Sequence, residues 1–173
     1  MVELKRLIRD VPDFPRHGIL FRDISPLLRE HFDTTIQVLD RLLTEAEWSE
    51  IDAVAGIESR GFILGAALAT RRRKGFVLVR KQGKLPPPVV DVAYDLEYGT
   101  DTIEIQEDAI SPGQRVVVLD DLLATGGTMQ AAIDLVRRRG GEVAAAACII
   151  ELSFLNGRSR IDVPFTSMVA YES

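Results

Sequence analysis

Four short apolar runs, Ile51 to Ile57, Phe76 to Val79, Val116 to Leu119 and Val143 to Ile150, are interleaved with two stretches of helical periodicity, Gly61 to about Arg73 and Thr128 to Arg139. Few architectures accept that order. Strands separated by helices of a dozen residues call for right-handed crossovers onto a parallel sheet. The near-continuous apolar character of Val143 to Ile150 suits a strand covered on both faces. In the second helical stretch Met129, Ala132, Ile133 and Val136 fall on one face, and Gly140 and Gly141 end it. The predicted fold is therefore α/β, a central, mainly parallel twisted sheet with helices on both faces. A length of 173 residues suits one domain, 1–173.

Outside this alternation the signals are weaker. Leu4, Leu7 and Ile8 lie at helical spacing, after which Pro12, Pro15 and Gly18 predict a loop. Asp33 reads as an N-cap for a helix carrying Ile36, Leu39 and Leu43, which the polar stretch Thr44 to Glu50 ends. The segment 81–98, rich in Gly and Pro and too long for an ordinary turn, predicts a mobile hairpin or lid. The net charge of -5, with no basic run longer than Arg71 to Lys74, argues against nucleic acid as a partner. Residues 1–9 lack a signal-peptide core and no stretch approaches the ~20 apolar residues of a membrane span, so a cytoplasmic protein is expected. The single cysteine, Cys148, sits in an apolar run and reads as a buried small hydrophobe.

Ligands of parallel α/β sheets bind beyond the carboxyl ends of the strands, which points to the loops 57–61 and 120–127. The second is the more informative. Val116 to Leu119 leads into Asp120 and Asp121, and then Ala124-Thr125-Gly126-Gly127-Thr128 opens a helix. Small residues there leave backbone N–H groups accessible at a helix N-terminus, where unpaired donors and the dipole favour a phosphate. Paired acids repel a phosphate but accept hydrogen bonds from sugar hydroxyls, so phosphate and ribose would be read side by side. A plain helix cap preceded by surface acids is the alternative. Neither G-x-x-x-x-G-K-[ST] nor G-x-G-x-x-G after a strand is present, which removes the main support for kinase and dinucleotide readings. His17 and His31 show no ligand or triad spacing, and Ser59 lacks a nearby base.

The run of apolar residues, two acids and Thr-Gly-Gly-Thr resembles the motif by which type I phosphoribosyltransferases bind phosphoribosyl pyrophosphate (PRPP). Phe14 to Pro26, Glu58-Ser-Arg-Gly-Phe, Arg80-Lys-Gln-Gly-Lys-Leu-Pro and Leu96-Glu-Tyr-Gly occur in the order seen in adenine phosphoribosyltransferases, and the resemblance covers about 11–172. It implies the type I fold with a small N-terminal hood within 1–32 and a flexible lid hairpin at 81–98. It implies transfer of the 5-phosphoribosyl group from PRPP to adenine, giving AMP and pyrophosphate in purine salvage. On the matching positions, Ala124, Thr125, Gly126, Gly127 and Thr128 cradle the 5′-phosphate, and Asp120 and Asp121 accept the ribose hydroxyls. Glu58, Ser59 and Arg60 form the pyrophosphate loop, which in this family often holds a non-proline cis peptide. Lys81 and Lys84 match cations around the pyrophosphate; their alternative is solvated surface charge.

The same resemblance implies that Phe21 stacks on adenine, with Leu20 and Arg22 beside it and the local backbone reading the base edge; a core aromatic is the alternative for Phe21. Glu97 and Tyr98 would approach the reaction centre, the Glu exchanging a proton with a purine nitrogen, with Arg60 as the third catalytic group. Mg²⁺ is expected, held mainly by PRPP rather than by direct protein ligands. A homodimer is implied. Two other readings stay open: a phosphoribosyltransferase for an oxopurine, and a PRPP-sensing regulator of the same fold. Pro86-Pro87-Pro88 and Arg16-His17 depart from the common family pattern without touching the PRPP turn.

Overall fold

The computed structural model describes residues 4–95 and 99–173. The chain forms two compact units, one ending at Arg41 and one spanning Leu42–Ser173. In the first, a 3₁₀ turn at Leu4–Leu7 precedes strands β1 (Arg9–Pro12) and β2 (Leu20–Asp23) and helices α1 (Ser25–Glu30) and α2 (Phe32–Asp40). β1 and β2 pair antiparallel, with Val11 opposite Phe21 and Arg9 opposite Asp23. Residues expected to form only a loop thus contain a hairpin, whose four-residue strands are too short to show a period and carry Pro12 at the end. Asp23 ties it together: its carboxylate accepts from Arg9 Nη2 at 2.5 Å and from the Ser25 N–H and hydroxyl at 2.9 and 2.6 Å. Asp33 lies inside the first turn of α2; the N-cap is His31, with no side-chain cap.

The second unit holds α3 (Glu45–Ser49), β3 (Ala53–Ile57), α4 (Arg60–Arg72), β4 (Gly75–Lys81), β5 (Val89–Asp95), β6 (Thr100–Gln106), β7 (Arg115–Leu123), α5 (Gly127–Arg138), β8 (Glu142–Leu152) and β9 (Phe165–Tyr171). The sheet has the order β5-β6-β4-β3-β7-β8-β9. β4, β3, β7, β8 and β9 run parallel, and β6 joins β4 antiparallel to add the β5–β6 hairpin at one edge. The mainly parallel α/β sheet expected from the sequence is therefore present. Other elements of this unit carry weaker sequence signals. Val89–Asp95, within the segment 81–98 expected to form a hairpin or lid, is an edge strand to which Val90 and Val92 supply β-branched side chains. The polar stretch 44–50 contains α3, nucleated by a capping box: Thr44 Oγ1 accepts from the Glu47 N–H and the Glu47 carboxylate accepts from the Thr44 N–H.

Alternation along β3 assigns the two faces. Ala53, Ala55 and Ile57 join a core with Met129, Ile133 and Val136 of α5, whereas Gly56 faces α4. Helices thus cover opposite sides of the sheet. The α4 side is set by glycine. A Cβ on Gly61 would stand 2.8 Å from the Leu119 carbonyl oxygen, and one on Gly65 2.7 Å from the Phe76 ring. Bare backbone there lets the start of α4 lie directly on the end of β7. In β8 the buried Cys148 faces Asp120 in register, and its thiol donates to the Ile150 carbonyl at 3.0 Å. Among the described residues no helix is long and apolar enough to cross a membrane.

Gly61→Ala forces a methyl group against a backbone carbonyl of β7, which cannot rotate away as a side chain could. It is expected to lower stability by about 1–3 kcal/mol, the usual range for overpacking. Denaturant unfolding measures it, and an unchanged midpoint would refute the close packing of α4 on β7.

Candidate active site

At the carboxyl ends of β3 and β7 the second unit opens a cavity of about 410 Å³. Residues 58–60 and 120–129 form most of its wall, and Lys81, Tyr94 and Asp101 complete it. The two loops singled out by strand order thus meet in one cavity, of a size ordinary for small-molecule sites.

The turn Ala124–Thr128 owes its shape to two glycines. Gly126 caps α5 with φ +83°, a left-handed conformation costly for other residues. Gly127 begins the helix against the end of β5, where a Cβ would lie 2.8 Å from the Asp95 carbonyl oxygen. The 12-residue helix has no acidic side chain in its first turn and no side-chain cap. Its N-terminal donors and dipole consequently face the cavity uncancelled, an arrangement suited to a phosphate.

Ahead of this turn stand Asp120 and Asp121. The Asp121 N–H donates to Asp120 Oδ1 at 2.8 Å, and Asp121 Oδ2 accepts from Arg60 Nε at 2.9 Å. Burial, followed by the charge of Asp121, pushes the Asp120 carboxyl well above the usual carboxylate range. The pair is thus asymmetric, with the guanidinium on one acid and the other disposed to hold a proton. Arg60 reaches Asp121 because it is the first residue of α4 and Gly61 brings that helix onto Leu119 and Asp120. The Glu58–Ser59 peptide just before it is cis.

Cations and carboxylates alternate along the remaining wall. Lys81 Nζ pairs with Asp101 Oδ2 at 3.1 Å, and that hydrogen bond raises the Lys81 pKa. Glu58 gathers three donors: Lys84 Nζ at 2.7 Å, the Lys81 N–H at 3.0 Å and Arg80 Nε at 3.3 Å. Burial alone would raise the Glu58 carboxyl, but the hydrogen bonds from Lys84, Lys81 and Arg80 outweigh it and hold its pKa at about 2. The side chain of Glu58 is therefore an anchor for cations, not a group that could itself hold an anion. Lys84 lies on this anchor and does not line the cavity. Buried Glu104 pins the following turn by accepting from the Lys84 and Leu85 N–H groups at 3.1 and 2.9 Å.

Tyr94 and Asp101 were not marked by the sequence. They face one another across β5 and β6, with the Tyr94 hydroxyl 3.4 Å from Asp101 Oδ2. Only that register makes them part of the site. Glu97 and Tyr98, expected near the reaction centre, lie outside the described residues. Leu20, Phe21 and Arg22 belong to β2 of the first unit. Leu20 is exposed and the other two are half-buried. Phe21 stacks edge-on against Phe14 at 5.1 Å between ring centroids, and Arg22 Nη1 donates to Asp10 at 2.5 Å. His17 pairs with Asp13 at 2.9 Å.

Comparison with known proteins establishes the family. Residues 34–169 match the family model of the phosphoribosyl transferase domain. The adenine phosphoribosyltransferase of Acidiphilium cryptum is 57% identical, over 99% of each chain. Among solved structures, the adenine phosphoribosyltransferase of Rhodothermus marinus superposes with a TM-score of 0.91 at 50% identity, covering 97% of this chain and 96% of its own. That of Saccharomyces cerevisiae, complexed with an imino-altritol bisphosphate and adenine, gives 0.91 at 41% identity, covering 96% of this chain and 97% of its own. By the extent of the family match and the identity kept over its whole length, the chain belongs to the phosphoribosyltransferase family, among the adenine phosphoribosyltransferases.

Proposed function

We infer that the transfer of the 5-phosphoribosyl group from PRPP to adenine takes place in the cavity at the ends of β3 and β7. One observation carries the assignment: a bare helix N-terminus, a pair of acids and the Arg60 and Lys81 side chains line the same space of about 410 Å³. These match, in order, a phosphate, the hydroxyls of a sugar and a polyanionic leaving group.

In this reading the backbone of Ala124, Thr125, Gly126 and Gly127 and the Thr128 hydroxyl bind the 5′-phosphate, and Asp120 and Asp121 accept the ribose hydroxyls. The bond from C1′ to pyrophosphate loosens before the adenine nitrogen arrives, so positive charge develops on the sugar, as in glycoside cleavage. Arg60, Lys81 and the backbone of Glu58 and Ser59 stabilise the charge growing on pyrophosphate, while Lys84 is delivered from Glu58. The leaving group is already anionic, so a strong general acid is not required. Leu20, Phe21 and Arg22 are assigned to adenine. Backbone donors and acceptors there would reject an oxopurine, whose 6-oxo group inverts the donor pattern and leaves a buried group unpaired. Glu97 is assigned the purine proton and Tyr98 the PRPP side, both within 81–98, the segment proposed to cover the site and exclude water.

Mg²⁺ would supply charge neutralisation on the phosphates. The residues fit a metal carried by the substrate: Asp121 is engaged by Arg60, Asp101 by Lys81 and Glu58 by Lys84, and among the described residues no cluster of three acidic, His or Cys side chains could form a cage of its own. A cytoplasmic homodimer with neither nucleic acid nor membrane as partner completes the proposal.

Purified protein with PRPP and Mg²⁺ should release pyrophosphate with adenine and not with hypoxanthine, xanthine or guanine. Release with oxopurines alone would move the reading to the related enzymes, and absence of release with every base would leave a PRPP-binding regulator. Asp121→Ala removes a charged acceptor worth about 1.5–3 kcal/mol, so kcat/KM for PRPP should fall by about 10–100-fold; near-normal PRPP kinetics would disprove the ribose assignment. Glu97→Gln should lower kcat more than it weakens adenine binding, and an unchanged kcat would take Glu97 out of the proton transfer.

A further inference from the structure

The phosphate turn is supported from behind by a segment that the sequence motifs do not include. Between β8 and β9 the chain makes two 3₁₀ turns, Ser153–Leu155 and Gly157–Arg160, joined by Asn156 in a left-handed conformation. Buried Gly157 lies flat on the turn. A Cβ there would overlap the Ala124 carbonyl oxygen and stand 2.8 Å from the Gly126 nitrogen, and a Cβ on Gly126 would in turn run into the Gly157 carbonyl. Backbone rests on backbone, with no side chain to absorb a shift. The neighbouring Arg158 is clamped in a fork: Nε and Nη2 donate to Glu151 at 2.9 and 2.5 Å, and Nη1 donates to the Phe165 carbonyl at 3.0 Å. Ser167 closes the network by donating to Glu151 at 2.6 Å. Glu151 faces Leu123 in the β7–β8 register, and Leu123 is the residue from which the turn departs. A closed circuit results, running from Leu123 through Glu151, Arg158 and Gly157 back to Ala124–Gly126.

We propose that Glu151 and Arg158 are positioning residues for phosphate binding, holding Gly157 as a rigid back wall that keeps the N–H groups of the 124–127 turn aimed into the cavity. Neither side chain lines the cavity itself. The inference rests on the reading of 124–128 as the phosphate seat, and it distinguishes two ends of one site: the wall touches the 5′-phosphate end and not the Glu58–Arg60 end.

The test measures equilibrium binding of ribose 5-phosphate and, separately, of magnesium pyrophosphate to the whole protein, alongside steady-state kinetics. Arg158→Met should weaken ribose 5-phosphate by about 10-fold, the effect of a small misalignment of binding groups, with pyrophosphate affinity and the KM for adenine changed by less than about twofold. Arg158→Lys, which keeps the charge but not the fork, should fall between wild type and Met. Ser167→Ala, a milder change that keeps the ion pair, should weaken ribose 5-phosphate selectively and to a smaller extent, and it serves if the Met variant does not fold. Unchanged ribose 5-phosphate affinity, or equal loss for both ligands, overturns the back-wall role. Failure of the wild type to bind ribose 5-phosphate would instead overturn the phosphate-seat reading, and the inference with it.

Discussion

The distance between α4 and the centre of the sheet governs the rest of the second unit. Gly56, Gly61 and Gly65 remove side chains where helix and strands touch, and the helix settles until Gly61 abuts the Leu119 carbonyl. A larger residue would lift its first turn and carry Arg60 away from Asp121. The ion pair at 2.9 Å, and with it the meeting of the 58–60 loop and the 120–128 loop, is therefore set by packing. The short-range geometry of the cavity follows from an absence of atoms on its apolar side.

Charge in the cavity is arranged in matched pairs, and the pairs differ in how firmly they are held. The Lys81 and Lys84 side chains are about half exposed, at 57% and 50%, whereas their partners Asp101 and Glu58 are exposed to only 27% and 12%, so solvent screens these pairs mainly from the lysine side. Arg60 and Asp121 are less exposed, at 34% and 11%, so rearranging that pair leaves a charge less well solvated. Arg60–Asp121 is thus the most enclosed of the three pairs, and of the two lysines only Lys81 is on the cavity wall.

Much of the fold and the centre of the site can be read from the chain itself. β3, β7 and β8 are buried on both faces and show it as unbroken apolar runs, and the turn at 124–128 displays its glycines openly. What escaped reading has identifiable causes. In β6 the consecutive Ile103, Glu104 and Ile105 are all buried, so its burial does not alternate, and β9 mixes Thr166 and Ser167 with apolar residues as an edge strand does. α3 is announced only by the Thr44 and Glu47 box, a four-residue signal inside a polar stretch. Tyr94 and Asp101 depend on hairpin register, Glu58 on which lysine finds it, and Glu151 with Arg158 on a ring closed across three strands. Each belongs to tertiary structure, and none leaves a local pattern.

The position of the lone cysteine has a chemical consequence. Cys148 sits opposite Asp120 with its sulfur sealed from solvent, and burial pushes the thiol well above its ordinary range. Nucleophilic sulfur chemistry requires a thiolate that reagents can reach, and this group offers neither the anion nor the access. Oxidants and alkylating agents therefore have no handle at Cys148, on the strand beside the one that carries the two acids.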